Sequence, residues 1–183
     1  LFKTLLILNA IQLKLKHMAE IKLGENKVHT FGSLPSPGSS APDFKLTNVD
    51  LKDISIKEFS GKNVILNIFP SVDTRVCAMS VREFNKRAAN AQNAVVLCIS
   101  KDLPFAQKRF CAAEGISNVV MLSDFRDNDF SKTYGVEMLD GGMYGLHARA
   151  IVVIDGIGKV KHSELVPVIG QEPNYDAAYN AIG

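Results

Sequence analysis

The sequence predicts an α/β protein with a mixed central sheet flanked by helices and a β-hairpin extension at its N-terminal end. Three observations carry this. Short β-branched runs at residues 63–69, 94–99 and 119–122 have the length and composition of strands covered on both faces. Between them the apolar period changes from that of a strand to that of a helix. A late pair of apolar runs, joined by a glycine-containing turn, adds antiparallel strands to these strand–helix units. With 183 residues, 46% of them hydrophobic and 22% charged, the chain has the composition of one domain able to bury a full core.

Residues 1–17 combine the apolar run Leu5 to Leu8 with Lys3, Lys14 and Lys16 and precede Met18. A signal peptide would need a longer apolar core and a small-residue cleavage site, so this stretch is read as a non-native or mis-started extension. Residues 18–183 are then the single domain, placed in the cytoplasm, with the periplasm as the alternative. Ile21 to Leu23 and Lys27 to Phe31 flank the turn-prone Gly24-Glu25-Asn26 and predict the hairpin. Ser33 to Pro42, rich in Pro, Gly and Ser, reads as an extended loop. The first central strand, Asn63 to Phe69, ends at Pro70. A helix begins near Cys77 and runs to about Asn90, with Val81, Phe84 and Ala88 on one face and Arg82, Glu83, Lys86 and Arg87 on the other. Ala94 to Ile99 is the second strand, and Ser100-Lys101-Asp102 before Leu103-Pro104 predicts a cap and a first-turn proline for the next helix. Leu103, Ala106, Phe110 and Ala113 form its expected inner face, and Gly115 closes it. Val119 to Leu122 is the third strand. Ala148 to Ile154 and Lys159 to Leu165 are the antiparallel pair, and a last helix spans about Asn174 to Ala181. A mixed sheet with helices on both faces includes the thioredoxin-like arrangement.

The formal net charge is only +2 and the basic residues are interspersed with acids, which argues against nucleic acid as a partner. No segment has the length and apolarity of a membrane span. Three cysteines, Cys77, Cys98 and Cys111, are too few and too widely spaced for a disulfide-stapled secreted domain. His17, His29, His147 and His162 do not fall at zinc-ligand spacings beside them, so no metal and no cofactor is expected.

The segment Pro70-Ser71-Val72-Asp73-Thr74-Arg75-Val76-Cys77 runs from a strand end through a polar turn into a helix. Free backbone N–H groups and the positive end of the helix dipole stabilise an anion there, which favours the thiolate, the attacking form of cysteine. Thr74 can set its hydroxyl beside the sulfur, either donating to the thiolate or holding an incoming oxygen. A lone cysteine at this place would equally serve as a small buried hydrophobe, with Thr74 as a helix cap.

Pro-x-x-x-Thr-x-x-Cys at such a junction resembles the active-site signature of peroxiredoxins, and residues 70–85 resemble the thiol peroxidase branch of that superfamily. Arg109-Phe110-Cys111-Ala112-Ala113-Glu114-Gly115 is similar to the segment carrying the resolving cysteine in that branch, and Gly145-Leu146-His147-Ala148-Arg149-Ala150 to its arginine-bearing strand. The similarity extends from about Met18 to Ile182. It implies a thioredoxin-like fold in which Cys77 is the peroxidatic cysteine, Pro70 and Thr74 shape and shield the pocket, and Arg149 contacts the sulfur and the peroxide. It also implies reduction of hydrogen peroxide and organic hydroperoxides, an intramolecular Cys77–Cys111 disulfide re-reduced by thioredoxin, and a homodimer.

Arg75 departs from the small residue that the resemblance leads one to expect, and adds positive charge near the pocket. Cys98, inside the apolar run Val95 to Ile99, is the competing candidate for the resolving role and reads as a buried inert thiol. His147 reads as a polar strand residue at a sheet edge. Met79, Met138, Leu139 and Met143 are candidates for an acyl-binding surface or for ordinary packing. A protein disulfide oxidoreductase normally uses the Cys-x-x-Cys absent here. A redox sensor or chaperone-like binding protein, reacting once per disulfide, is the alternative from another class.

Overall fold

The computed structural model describes residues 18–183 apart from Gln92, so the expectation for residues 1–17 lies outside the described residues. The hairpin forms as predicted: β1 (Glu20–Leu23) and β2 (Asn26–His29) pair antiparallel in a sheet of their own. A seven-stranded mixed sheet builds the body. It contains β3 (Lys45–Asn48), β4 (Asp53–Ser55), β5 (Asn63–Ile68), β6 (Ala94–Ser100), β7 (Val120–Ser123), β8 (Ala150–Ile154) and β9 (Val160–Leu165), in the order β4-β3-β7-β6-β5-β8-β9. The three central strands β5, β6 and β7 are parallel, and β3, β8 and β9 join antiparallel. The helices are α1 (Arg75–Ala88), α2 (Pro104–Glu114), α3 (Asp129–Thr133) and α4 (Tyr175–Asn180).

The central strands show why an unbroken apolar run is needed there. Along β5, Val64, Leu66 and Ile68 enter one core layer with Phe44, Phe130 and Tyr134, while Ile65 and the following Phe69 enter the other with Val81, Phe84 and Cys98. Side chains alternate across a strand, and both faces are covered by other elements. The second layer holds α1, α4 and part of α2; the first holds α3 and the 3-10 turn Ile56–Phe59.

Several expectations need correction. Strands β3 and β4 were not foreseen, because they are short and carry polar residues, and β4 forms the edge of the sheet. The Asn48 side-chain oxygen accepts from the backbone of Asp50 and Lys52 and makes the turn between them, with Leu51 at φ 65°. Helix α1 starts at Arg75, so Cys77 is its third residue rather than its first. The predicted side-chain cap of α2 does not form: Leu103 is the N-cap, without a side-chain hydrogen bond, and the Asp102 carboxylate is used elsewhere. The inner face of α2 is also different. Leu103 and Ala113 are exposed, and the buried residues are Pro104 and Gln107, whose amide donates to Ser100 Oγ and to the Leu122 carbonyl. A buried glutamine with two acceptors beneath the helix is invisible to an apolar periodicity. Gly115 does end α2 in the left-handed conformation, φ 65°. Strand β8 begins at Ala150, two residues later than expected, so Arg149 sits just before it. His147 is fully buried instead of lying at an edge, with Nε2 2.9 Å from Asp124 Oδ2, and Lys101 Nζ forms a salt bridge to the same oxygen at 3.0 Å.

Candidate active site

The strand β5 ends in the core at Ile68, and the chain then turns through Phe69 and Pro70 to the first turn of α1. This delivers Cys77 to the amino-terminal end of a fourteen-residue helix, where backbone N–H groups lack intrahelical partners. Cys77 is fully buried, and Pro70 and Val72 are buried beside it. Thr74 occupies the N-cap in extended conformation but makes no capping bond. Its hydroxyl lies 2.8 Å from Cys77 Sγ and 3.2 Å from the Ser71 carbonyl. A hydroxyl has one proton, so it donates to the sulfur when the sulfur is a thiolate, and to the Ser71 carbonyl when the thiol donates to it.

Arg149 approaches from β8. It is 2% exposed, and Nη2 donates to Cys77 Sγ at 3.4 Å and to the Ile169 carbonyl at 3.0 Å, with Nε 3.2 Å from the same carbonyl. Among the described residues Nη1 has no hydrogen-bond partner. Burying a guanidinium requires an anion or a set of acceptors. The Ile169 carbonyl and the Cys77 sulfur are those partners. Ile169 could not have been found from sequence, because the acceptor is backbone and any residue type would present it.

The N-terminal hairpin explains why that carbonyl is where it is. The backbone of Lys22 in β1 accepts from Ile169 N–H at 2.9 Å and donates to the Pro167 carbonyl at 2.8 Å. Ile21 and Val28 pack with Met138, Ala148 and Ile169 in a third apolar cluster. The hairpin thereby fixes the 167–169 segment that holds Arg149 against the sulfur. Together these elements wall a cavity of about 360 Å³, lined by Pro70, Thr74, Val76 and Arg149 on one side and by Leu23, Met143, Val168 and Ile169 on the other. The Cys77 sulfur lies behind that wall, in contact with two of its residues. Of the residues considered for an acyl-binding surface, Met143 lines the cavity, while Met138 is fully buried under the hairpin and the Met79 sulfur is 3.8 Å from Arg75 Nη1. Arg75 is exposed at the cavity's edge.

The structure thus brings together Pro70, Thr74, Cys77 and Arg149. Cys111 stands apart from them, half-buried in the last turn of α2 and unpaired, with burial pushing its thiol above the usual range. It borders the same core layer as Cys77, and α2 is tied to α1 by Arg82 Nε donating to Glu114 Oε2 at 2.7 Å. Cys98 is fully buried in β6, and burial pushes its thiol up to about 12.

Residues 36–179 match the Redoxin family. Thiol peroxidases of Mycobacterium tuberculosis (strain H37Rv) and Mycobacterium bovis are each 61% identical to the chain over 166 residues, covering 91% of it and 99% of their own length. Among solved structures, a peroxiredoxin-like protein from Aquifex aeolicus superposes with a TM-score of 0.84 at 39% identity, covering 90% of this chain and 96% of its own. The thiol peroxidase from Chromobacterium violaceum shares the fold, with a TM-score of 0.80 at 24% identity over 88% of this chain and 94% of its own. Matched along most of its length by the family and by relatives at this identity, the chain belongs to the Redoxin family and is a thiol-dependent peroxidase of the peroxiredoxin type.

Proposed function

We propose that Cys77 is the peroxidatic nucleophile and that turnover proceeds through a Cys77–Cys111 disulfide reduced by thioredoxin. The observation that carries the first part is the convergence of the Thr74 hydroxyl, the Arg149 guanidinium and the start of α1 on one sulfur. The Cys77 thiolate attacks the terminal oxygen of a hydroperoxide. The S–O bond forms as the O–O bond breaks, and the alkoxide, or hydroxide, leaves and is protonated. Sulfur is oxidised to the sulfenic acid and the peroxide is reduced. Arg149, already on the sulfur, stabilises the negative charge that moves onto the departing oxygen. Pro70 has no N–H and excludes water from that face without offering a competing donor.

The Cys111 thiolate then attacks the sulfenic sulfur, an S–S bond forms as the S–O bond breaks, and the departing hydroxide is protonated to water. A disulfide requires Cα atoms within about 7 Å. Cys77 is enclosed at the start of α1 and Cys111 sits at the end of α2, so local unwinding of the first turns of α1 and the last turn of α2 accompanies this step. A thioredoxin dithiol returns the two electrons. The apolar lining from Leu23, Val76, Met143, Val168 and Ile169 suits alkyl and lipid hydroperoxides as well as hydrogen peroxide. Among the described residues no helix is long and apolar enough to cross a membrane. Action in the cytoplasm as a homodimer completes this reading.

The deciding experiment is NADPH oxidation with thioredoxin, its reductase and cumene hydroperoxide. Wild-type protein is expected to give many turnovers and Cys77→Ser none. Persistent turnover by Cys77→Ser would remove the nucleophile assignment, and a single turnover by reduced wild-type protein would point to a sensor.

A further inference from the structure

The loop that presents Thr74 and Cys77 has an anchor outside the family motif. Asp102, between β6 and α2, faces the loop with its carboxylate. Ser71 Oγ donates to Oδ1 at 2.7 Å, and the Val72 N–H donates to Oδ2 at 2.8 Å. The same Oδ2 accepts from Ser100 Oγ at 2.7 Å, and the Asp102 carbonyl accepts from Ser123 Oγ. Ser100 is in turn held by the buried Gln107 amide. Asp102 therefore joins the loop to the end of β6 through its carboxylate, to the end of β7 through its carbonyl, and by way of Ser100 and Gln107 to the helix that bears Cys111. Ser71, the residue it grips, is also the residue that holds Thr74. The Ser71 carbonyl accepts from Thr74 N–H at 3.2 Å, and from Thr74 Oγ1 at 3.2 Å when that hydroxyl is not donating to the sulfur, and Ser71 Oγ accepts from Asp73 N–H at 3.1 Å. A continuous path runs from Asp102 through Ser71 and Thr74 to the Cys77 sulfur.

We infer that Asp102 is a positioning residue for the peroxidase reaction, fixing the Ser71–Val72 turn so that the Thr74 hydroxyl lies on Cys77 Sγ whenever α1 is wound and the peroxide is attacked. The inference rests on the assignment of Cys77 as nucleophile. Ionised Asp102 is an acceptor only, and all the groups facing its carboxylate are donors. An asparagine that keeps its oxygen on the Val72 N–H must turn its N–H₂ group to Ser71 Oγ, so the Ser71 hydroxyl loses its acceptor and the remaining bonds lose the help of a charged acceptor. The turn would shift and the Thr74 hydroxyl with it. Reaction rates fall steeply when attacking geometry is displaced by a fraction of an ångström.

The test is the second-order rate constant for oxidation of Cys77 by cumene hydroperoxide, read by rapid quench and mass spectrometry of the reduced full-length protein. Melting temperatures are measured alongside, so that only folded protein is compared. Asp102→Asn is expected to slow oxidation about ten-fold or more and Ser71→Ala by a smaller factor, with Ser71→Thr recovering the rate because it restores the hydroxyl. The double variant is expected to be no slower than Asp102→Asn, since both act on one path. If Asp102→Asn does not fold, Ser71→Ala against Ser71→Thr decides alone. Folded Asp102→Asn reacting at the wild-type rate, or Ser71→Ala and Ser71→Thr reacting alike, would overturn the inference. Failure of the Cys77 assignment shows separately, as wild-type protein whose first oxidised cysteine is not Cys77.

Discussion

Two of the three thiols in this protein are completely buried in the same core layer, yet the polar groups around them differ. Cys98 lies in the middle of β6 between Leu97 and Ile99, with the Asn67 amide 3.5 Å from its sulfur. Burial there pushes the thiol up to about 12. Cys77 lies at the end of a helix with a hydroxyl at 2.8 Å and a guanidinium at 3.4 Å. Both are equally hidden from water, so burial does not distinguish them. The donors aimed at the sulfur do, and the role proposed for Cys77 rests on them. A low-polarity interior strengthens those hydrogen bonds as much as it penalises an unsupported thiolate.

The largest expected effects come from exchanging the partners of this pair. Cys111→Ser should lose thioredoxin-dependent turnover while still consuming about one equivalent of peroxide. Cys98→Ser should keep turnover, because an unsupported thiol in β6 has no part in the cycle. Equal loss in both variants in the NADPH-coupled assay would break the contrast. Arg149→Gln is next: removing a charged donor from the developing oxyanion should slow Cys77 oxidation by about 100- to 1,000-fold, measured by rapid quench. A change of under about three-fold would mean that the guanidinium serves packing alone. Thr74→Val, close in shape but without the hydroxyl, should cost about ten-fold, the scale of one hydrogen bond to a charged group.

The smallest effect concerns stability at alkaline pH. The Cys98 thiol is raised in the folded protein above its unfolded value of about 8.5, so its contribution is fully present below that pH. It is lost as pH rises toward about 12, because the unfolded chain releases the proton first. The slope is at most roughly 1.4 kcal/mol per pH unit for one group. Cys98→Ala should lower stability at pH 7 by leaving a small cavity, but flatten the fall in denaturation midpoint between about pH 9 and pH 11. Parallel curves for the two proteins would show that Cys98 ionises alike in the folded and unfolded states over that range.

Strands β5, β6 and β7 and helix α1 were legible in the chain because their apolar residues recur with a period that one local conformation satisfies. Gly115 announced the end of α2 for the same reason, a conformation that glycine takes without strain. Strands β3 and β4 were not legible, since three or four residues, several of them polar, carry little pattern. The face of α2 was misjudged at Leu103 and Ala113 because a buried Gln107 takes the place of an apolar contact. In the site, Cys77 and Thr74 stand three residues apart at a predicted helix start, so their proximity is a local property.

What joins them is not local. Arg149 is 72 residues from Cys77, the Ile169 carbonyl that orients it has no sequence signature, and the Lys22 backbone that positions Ile169 belongs to a hairpin at the other end of the chain. Asp102 shows the same limit, since its sequence position suggested a cap and its carboxylate went to another loop. The order of residues along the chain determined which segments become strands and helices and placed a cysteine at a helix start, because periodicity and dipole act within a few residues. Only the folded sheet decided which donors face that sulfur, because side-chain and backbone hydrogen bonds between distant segments depend on strand order and register, which no single segment contains.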